Sequence, residues 1–311
     1  LGTSNIVVST GNGNPVGETG TISVNSAVSW ANGNQLSLLA HGDIRFNASV
    51  QNSSSGDLVA IAGWDGTNGY TSATPGGATN GSLDYANFIA NPSWYGNANG
   101  TATGSIYVGS GSQTAGIAVG SRLGDTKVAA YDVRLTGGSS GATTFAQIGY
   151  ASGGNGDGEI TVNAKSAVSL TGGTKYDNAH AQIGHGGYQL VGDKGGNITV
   201  VAGNGVTLTA DQSGTGRFAS AQIGHGGRGN NAVPNNYTGT ITVDGGAGSV
   251  DLVAGQAIGA QNFRNAQIGH GGAYEAWGNF SGNIDVTGAN VNLDAGADSY
   301  NYARIGHGGW V

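Results

Sequence analysis

The sequence predicts an all-β protein, a right-handed parallel β-helix (solenoid) built from imperfect repeats. Three observations predict it: a glycine-rich composition, a recurring motif, and short segments in which apolar and polar residues alternate. Gly accounts for 62 of the 311 residues and charged residues for 9%, against averages of about 7% and about 25% in globular proteins. The other abundant residues are those of strands and turns, so we expect many short strands joined by tight turns.

The motif Ala-Gln-Ile-Gly-His recurs in the second half, and Gly-Gly follows its histidine. Its copies begin at Ala146, Ala181, Ala221, Ala266 and Ala303. The first copy ends in Tyr150 instead of His, and the last carries Arg304 instead of Gln. Between copies lie an Ile-x-Val segment and a Val-x-Leu segment, which gives a period of roughly 35–45 residues.

Three short alternating segments per repeat cannot bury their apolar side chains alone, but stacking each repeat on the next buries them. We therefore predict regular coils over 1–65, an aromatic, glycine-rich insertion over 66–103, and coils of roughly 40 residues over 104–311, all in one solenoid. A β-propeller has a similar period, but its blades need four antiparallel strands. Only three strand segments per repeat are visible, which favours the solenoid.

The remaining composition narrows the class of protein. The absence of Cys excludes disulfides and thiolate metal sites. The 11 Lys and Arg residues do not cluster, so nucleic acid is not an expected partner. No apolar run is long enough for a transmembrane helix. We expect no cofactor, and the lack of Met leads us to expect a processed form or a fragment.

Two stretches carry a family resemblance. The run from Gly20 to Trp30, and the run from Leu36 to Ala48, resemble the coil repeats of filamentous-haemagglutinin-like exoproteins. The Ala-Gln-Ile-Gly-His-Gly-Gly copies look like a repeat type of large exoproteins of that class. The Asn-Pro-Asn motifs of the family's secretion domain are not found, so the chain resembles the shaft.

The resemblance implies a parallel β-helix, secretion through an outer-membrane transporter, and residence outside the cell or on the outer surface of a Gram-negative bacterium. It also implies adhesion or biofilm roles. The expected partners are glycans or proteins of a host or neighbouring cell, and end-to-end self-association of the chain. The sequence thus favours a non-catalytic adhesive or filament-forming protein.

The histidines of the motif are its sharpest feature. If the copies stack, His185, His225, His270 and His307 form one column with Tyr150. We interpret this column as structural, with metal binding and pH sensing as alternatives. Within the motif, Ala and Ile share the core face. Because an Arg replaces Gln in the last copy, we predict that the glutamines form a surface ladder; its members are Gln147, Gln182, Gln222, Gln267 and Arg304.

A carbohydrate-binding or carbohydrate-cleaving β-helix is the alternative function. Glycosidases need facing carboxylates, but the acidic residues here are scattered over turns, and Asp157 and Glu159 are best explained by turn chemistry. Arg264 has no partner that the sequence identifies. The candidate ligand-binding residues are the aromatic residues of the insertion: Tyr70, Tyr85, Trp94 and Tyr95. We predict no catalytic residues and no metal site.

Overall fold

The computed structural model describes residues 2–10, 20–64, 77–79, 104–188, 191–212, 216–228, 234–256, 263–272, 278–297 and 300–309. The strands are, in chain order, β1 (Ile6–Ser9), β2 (Ile22–Val24), β3 (Val28–Trp30), β4 (Leu36–Ala40), β5 (Ile44–Phe46), β6 (Val50–Asn52), β7 (Leu58–Ala62), β8 (Gly77–Thr79), β9 (Ile106–Val108), β10 (Ile117–Ser121), β11 (Thr126–Ala130), β12 (Val133–Thr136), β13 (Ala146–Ile148), β14 (Ile160–Ala164), β15 (Val168–Thr171), β16 (Ala181–Ile183), β17 (Ile198–Ala202), β18 (Val206–Thr209), β19 (Ala221–Ile223), β20 (Asn235–Thr238), β21 (Ile241–Asp244), β22 (Val250–Val253), β23 (Ala266–Ile268), β24 (Gly278–Ser281), β25 (Ile284–Thr287), β26 (Val291–Asp294) and β27 (Ala303–Ile305).

Three long sheets contain 25 of these strands. Sheet 1 has the order β8-β1-β4-β7-β11-β14-β17-β21-β25. Sheet 2 has the order β2-β5-β9-β12-β15-β18-β22-β26, and sheet 3 the order β3-β6-β10-β13-β16-β19-β23-β27. The chain visits the sheets in turn, so eight successive coils each give one strand to every sheet. A separate pair, β20 and β24, lies in the segments that lead from sheet 3 back to sheet 1.

Stacking is parallel and in register. Each motif Ala pairs with the motif Ala of the next coil, and the Ile-x-Val and Val-x-Leu segments pair in the same way, as in Ile198 with Ile241 and Val206 with Val250. Among the described strands, only β1 and β8 pair antiparallel. The predicted parallel β-helix is therefore confirmed, and the described strands do not form the antiparallel blades of a propeller.

The core runs along the axis and takes residues from all three sheets. Alternate strand residues point into it, among them Ile198 and Val200 of sheet 1, Val206 and Leu208 of sheet 2, and Ile223 of sheet 3. The Ala and Ile of each motif copy contribute to the same core, as their parity predicts. Because β-branched and leucine side chains repeat at each level, the core has nearly the same cross-section from coil to coil.

The first coils depart from the predicted pattern of one buried face. In β4 and β7 every residue is buried. Val7, Leu39, Val59, Ile61, Trp64 and Ala129 form a second apolar cluster. Leu39, Val59 and Ile61 alternate along their strands with residues of the axial core, so the second cluster lies on the outer side of sheet 1. Sheet 1 is thus buried on both faces in this region.

Asp and Asn residues at the turns bond to the next coil rather than only to solvent. The Asp57 carboxylate accepts the backbone N–H of Asp125 at 2.9 Å, and Asp125 accepts that of Glu159 at 3.2 Å. Lys127 forms ion pairs with both Asp57 and Asp125, at 3.3 and 3.0 Å. These carboxylates therefore satisfy turn N–H groups that strand pairing does not reach.

Candidate functional site

The five copies of the motif form one continuous column on sheet 3. The backbone of each copy is tied to the next, because the first glycine after Ile donates to the Ile carbonyl of the preceding copy, as Gly224 does to Ile183 at 2.8 Å. The glycine after His donates to the His carbonyl of the preceding copy, as Gly226 does to His185 at 2.9 Å. The hydrogen-bonded ladder therefore continues past the three strand residues into the turn.

The four motif imidazoles stack. Neighbouring ring centroids in the series His185, His225, His270 and His307 are 5.1, 4.9 and 4.8 Å apart, with planes within 9° of parallel. The backbone N–H groups of Tyr150, His185, His225 and His270 donate, at 3.0 or 3.1 Å, to Nδ1 of the histidine in the next coil. Tyr150 takes the first position of this column and is itself buried.

The backbone also fixes the tautomer of these rings. A backbone N–H can only donate, so each Nδ1 is an acceptor and the ring proton of the neutral imidazole lies on Nε2. Each Nε2 faces a carbonyl oxygen: at 2.8 Å from Gly158, Gly196 and Gly239 for His185, His225 and His270, and at 3.0 Å from Gly282 for His307. Every imidazole of the column is thus bonded through both nitrogens.

Burial favours the neutral form of His185, His225 and His270. Desolvation lowers the pKa of His185 to about 4, although its bond to the Gly158 carbonyl opposes the change, and Lys194 adds a repulsive charge. Desolvation likewise lowers the pKa of His270 to about 4, and it lowers the pKa of His225, which lies between two other imidazoles, well below the ordinary value. His185, His225 and His270 are therefore neutral at pH 7.

The geometry does not suit a metal ion. Coordination by imidazole uses the lone pair of an unprotonated ring nitrogen, and here that lone pair accepts a backbone N–H in every copy. Among the described residues, no group of three or more His, Cys, Asp or Glu side chains could hold a metal ion.

The glutamines of the motif are buried, so the predicted surface ladder is wrong. Gln147, Gln182, Gln222 and Gln267 are 0, 1, 5 and 2% exposed. Each donates its amide to the carbonyls of two glycines in the next copy; Gln182, for example, contacts Gly224 at 2.9 Å and Gly226 at 3.0 Å. The glutamine side chains point away from the core, as the alternation of strand residues requires, and the glycine carbonyls of the next coil accept their amide N–H groups.

The position of Arg304 explains why the sequence predicted exposed glutamines. Arg304 occupies the glutamine position in β27, the edge strand of sheet 3, and is partly exposed. Its guanidinium bonds to the Gly308 carbonyl of its own coil and lies 5.2 Å from the ring centre of Tyr302. A charge is tolerated at this edge, and it does not indicate an exposed position in the inner coils.

One buried ion pair and one buried lysine have no counterpart in the other repeats. The ion pair between Arg264 and Asp211, at 3.3 Å, joins neighbouring coils with side chains only 1 and 0% exposed. The Lys194 ammonium donates to the carbonyls of Gly154, Val191 and Gly192 at 2.5, 3.3 and 2.9 Å. Desolvation lowers the pKa of Lys194 to about 8. Sequence reasoning missed both, because neither recurs from coil to coil.

The other residues that the sequence singled out are an acidic pair at a turn and the aromatic residues of the insertion. Glu159 accepts a hydrogen bond from the Asn197 amide at 3.1 Å, which agrees with turn chemistry. The aromatic candidates Tyr70, Tyr85, Trp94 and Tyr95 lie outside the described residues.

The chain was compared with protein families, curated proteins and solved structures, and no match was found in any of the three. Over the residues that the structure describes, none forms a helix of the length and apolarity needed to cross a membrane.

The glutamine ladder makes a first prediction. We expect Gln182→Leu to lower the free energy of unfolding by about 2 kcal/mol, because the buried Gly224 carbonyl loses the amide donor and the Gly226 carbonyl keeps only the backbone N–H of Gly187. Gln182→Glu should cost more, since it places a carboxylate against the carbonyls of Gly224 and Gly226. Urea unfolding followed by circular dichroism measures both.

Gln256 supplies the matched control for this prediction. It also donates to two carbonyls, of Ala254 and Ala295, both at 3.2 Å, but its side chain is exposed. Water can replace those bonds, so Gln256→Leu should change stability by less than about 0.5 kcal/mol. Equal losses for Gln182→Leu and Gln256→Leu would contradict the stabilising role of the buried ladder.

Proposed function

We propose that this chain is a segment of a secreted, non-catalytic shaft, of the filamentous-haemagglutinin-like exoprotein class, which projects from the outer surface of a Gram-negative cell. One observation carries the proposal: eight coils stack in register on three sheets, and their side chains repeat as ladders outside the core as well as inside it. Such an arrangement makes a rod, because each coil contacts mainly its two neighbours.

The ladders support a mechanical role. Between consecutive motif copies, backbone, glutamine and histidine hydrogen bonds all run along the axis. Stretching or bending the rod must break these bonds together with the strand ladders of all three sheets. The buried glutamine amides and histidine rings of the motif bond to the neighbouring coil. This arrangement fits a stiff support for adhesion better than a catalytic centre.

The two ends of the described rod differ. At the amino-terminal end, β8 pairs with β1 and covers the outer edge of sheet 1, while β2 and β3 are the edge strands of sheets 2 and 3. At the other end, β25, β26 and β27 are edge strands, and Val291 and Leu293 are 40 and 48% exposed. Edge strands with apolar side chains are templates for further strands. We propose end-to-end association through this end. From the family resemblance we also propose an outer-membrane transporter as the partner during secretion, and surface glycans or proteins as partners afterwards.

Negative-stain electron microscopy over a range of protein concentrations tests this proposal. We expect rods one β-helix wide whose length increases with concentration. A matched variant, Val291→Lys with Leu293→Lys, places charges on the exposed edge, and its particles should stay short because edge lysines oppose strand pairing. Compact particles with no rod shape would contradict the shaft, and short wild-type rods at every concentration would contradict end-to-end association.

A further inference from the structure

The histidine column has a property that a purely structural column does not need. Its hydrogen bonds require neutral rings. Nδ1 of each ring accepts a hydrogen bond from the backbone N–H of the preceding coil, and the Nε2–H group donates one to a carbonyl oxygen. A proton added at Nδ1 of His225 would face the His185 N–H, so two donors would meet at 3.0 Å. Acid therefore removes one bond between coils at each protonated ring.

We propose that this column makes the coils from Ala146 to Gly309 an acid-labile part of the rod, which separates at mildly acidic pH while the first three coils stay stacked. This inference goes beyond the shaft function and does not depend on it. It rests on geometry: the repeated bonding of both ring nitrogens, and the stacking of rings at 4.8–5.1 Å, where neighbouring cations repel.

The charged surroundings do not compensate a proton on the column. The titratable groups that act on these rings are Lys194, which repels a charge on His185 and His225, and the neighbouring histidines themselves. Asp193 stabilises the charge on Lys194 rather than on a ring. His180, which directly precedes β16 and is stacked on Phe145 at 5.1 Å, is also buried, and desolvation lowers its pKa to about 4.

The direction of the pH effect follows from these shifts. An unfolded histidine takes up a proton below pH of about 6.5. The pKa values of His180, His185 and His270 in the folded chain are lowered to about 4. Unfolding therefore binds protons between these values, and the stability that the neutral rings provide is present above pH of about 6.5 and is lost as the pH falls toward 4.

The first three coils contain an internal control. The strand position that corresponds to the column holds Trp30, Asn52 and Ser121 there, none of which titrates in this range. Asn52 shows in addition that an amide fits at this position, where its oxygen accepts a backbone N–H, that of Ser54, at 2.9 Å.

Hydrogen exchange with mass spectrometry at pH 7 and pH 4.5, corrected for intrinsic exchange rates, tests the proposal on the intact chain. We expect protection of 181–183, 221–223 and 266–268 to fall at least 100-fold more than that of 36–40 and 58–62, since one such histidine changes the equilibrium by roughly 100-fold at pH 4.5. An equal loss in both regions, or no loss in the motif strands, would overturn the proposal.

A variant and a spectroscopic measurement separate the column from other acid effects. The triple variant His185→Asn, His225→Asn and His270→Asn should remove most of the difference between the two regions. If that variant does not fold, nitrogen-15 NMR of His185, His225 and His270 in the wild-type chain decides. We expect Nε2-protonated neutral rings down to pH of about 5, and their protonation should coincide with loss of protection. Rings that titrate near pH 6.5 while the motif strands stay protected would overturn the proposal.

Discussion

Gly224→Ala is expected to be among the most destabilising single substitutions in the chain, with a loss of more than about 3 kcal/mol of unfolding free energy. An added Cβ at Gly224 would lie 2.0 Å from the Gly269 carbonyl oxygen, far inside contact distance, and the residue has φ +151°. The neighbouring coil cannot move away without breaking the ladder of sheet 3. The substitution thus combines backbone strain with a clash against backbone.

Gly306→Ala separates these two causes. Gly306 has nearly the same φ, +152°, but the nearest atoms to an added Cβ belong to the flexible Arg304 side chain, at 3.8 Å or more. Gly306→Ala should lose only the free energy that backbone strain costs, about 1–2 kcal/mol. Thermal unfolding by calorimetry, with both variants beside the wild type, measures the difference. Equal destabilisation would mean that close coil-to-coil approach is not what requires glycine in the inner copies.

The fold could be predicted because its signals are local and repeated. Ile198-Thr199-Val200 alternates within three residues, and its copies lie at the same place in each repeat. Once strands stack in register, identical residues pair. The axial core then follows from the alternation of inward and outward side chains along each strand. The second apolar cluster could not be read in this way, because Val59 and Ile61 belong to a strand that is buried on both faces.

The site was predicted less completely, for a physical reason. The histidine column follows from stacking, but the burial of Gln182 depends on carbonyls of Gly224 and Gly226, 42 and 44 residues away. Nothing in the local sequence shows that those carbonyls point back at the amide. The Arg264 partner is 53 residues away and occurs in one coil only. Periodicity, the main signal of this sequence, carries no information about a contact that does not repeat.

Arg264→Met is expected to lower the free energy of unfolding by about 3–5 kcal/mol, because it leaves the Asp211 carboxylate buried without its cation. Both side chains are inaccessible to solvent, at 1 and 0% exposure, and the Arg264 guanidinium lies 3.3 Å from the carboxylate. Methionine keeps much of the side-chain volume, so the loss reports charge and hydrogen bonding more than packing. Urea unfolding at pH 7 measures it.

Arg217→Met is the matched control, because Arg217 pairs with Asp177 at 2.9 Å across the same kind of coil-to-coil step, with side chains 52 and 33% exposed. Water and salt screen that pair, so its loss should cost less than about 1 kcal/mol. The double variant Arg264→Met with Asp211→Leu should recover part of the stability lost by Arg264→Met, because no unpaired charge remains in the interior. If Arg264→Met were no more costly than Arg217→Met, water would reach Asp211 in the variant, and the coils around it would be less tightly stacked than the buried pair implies.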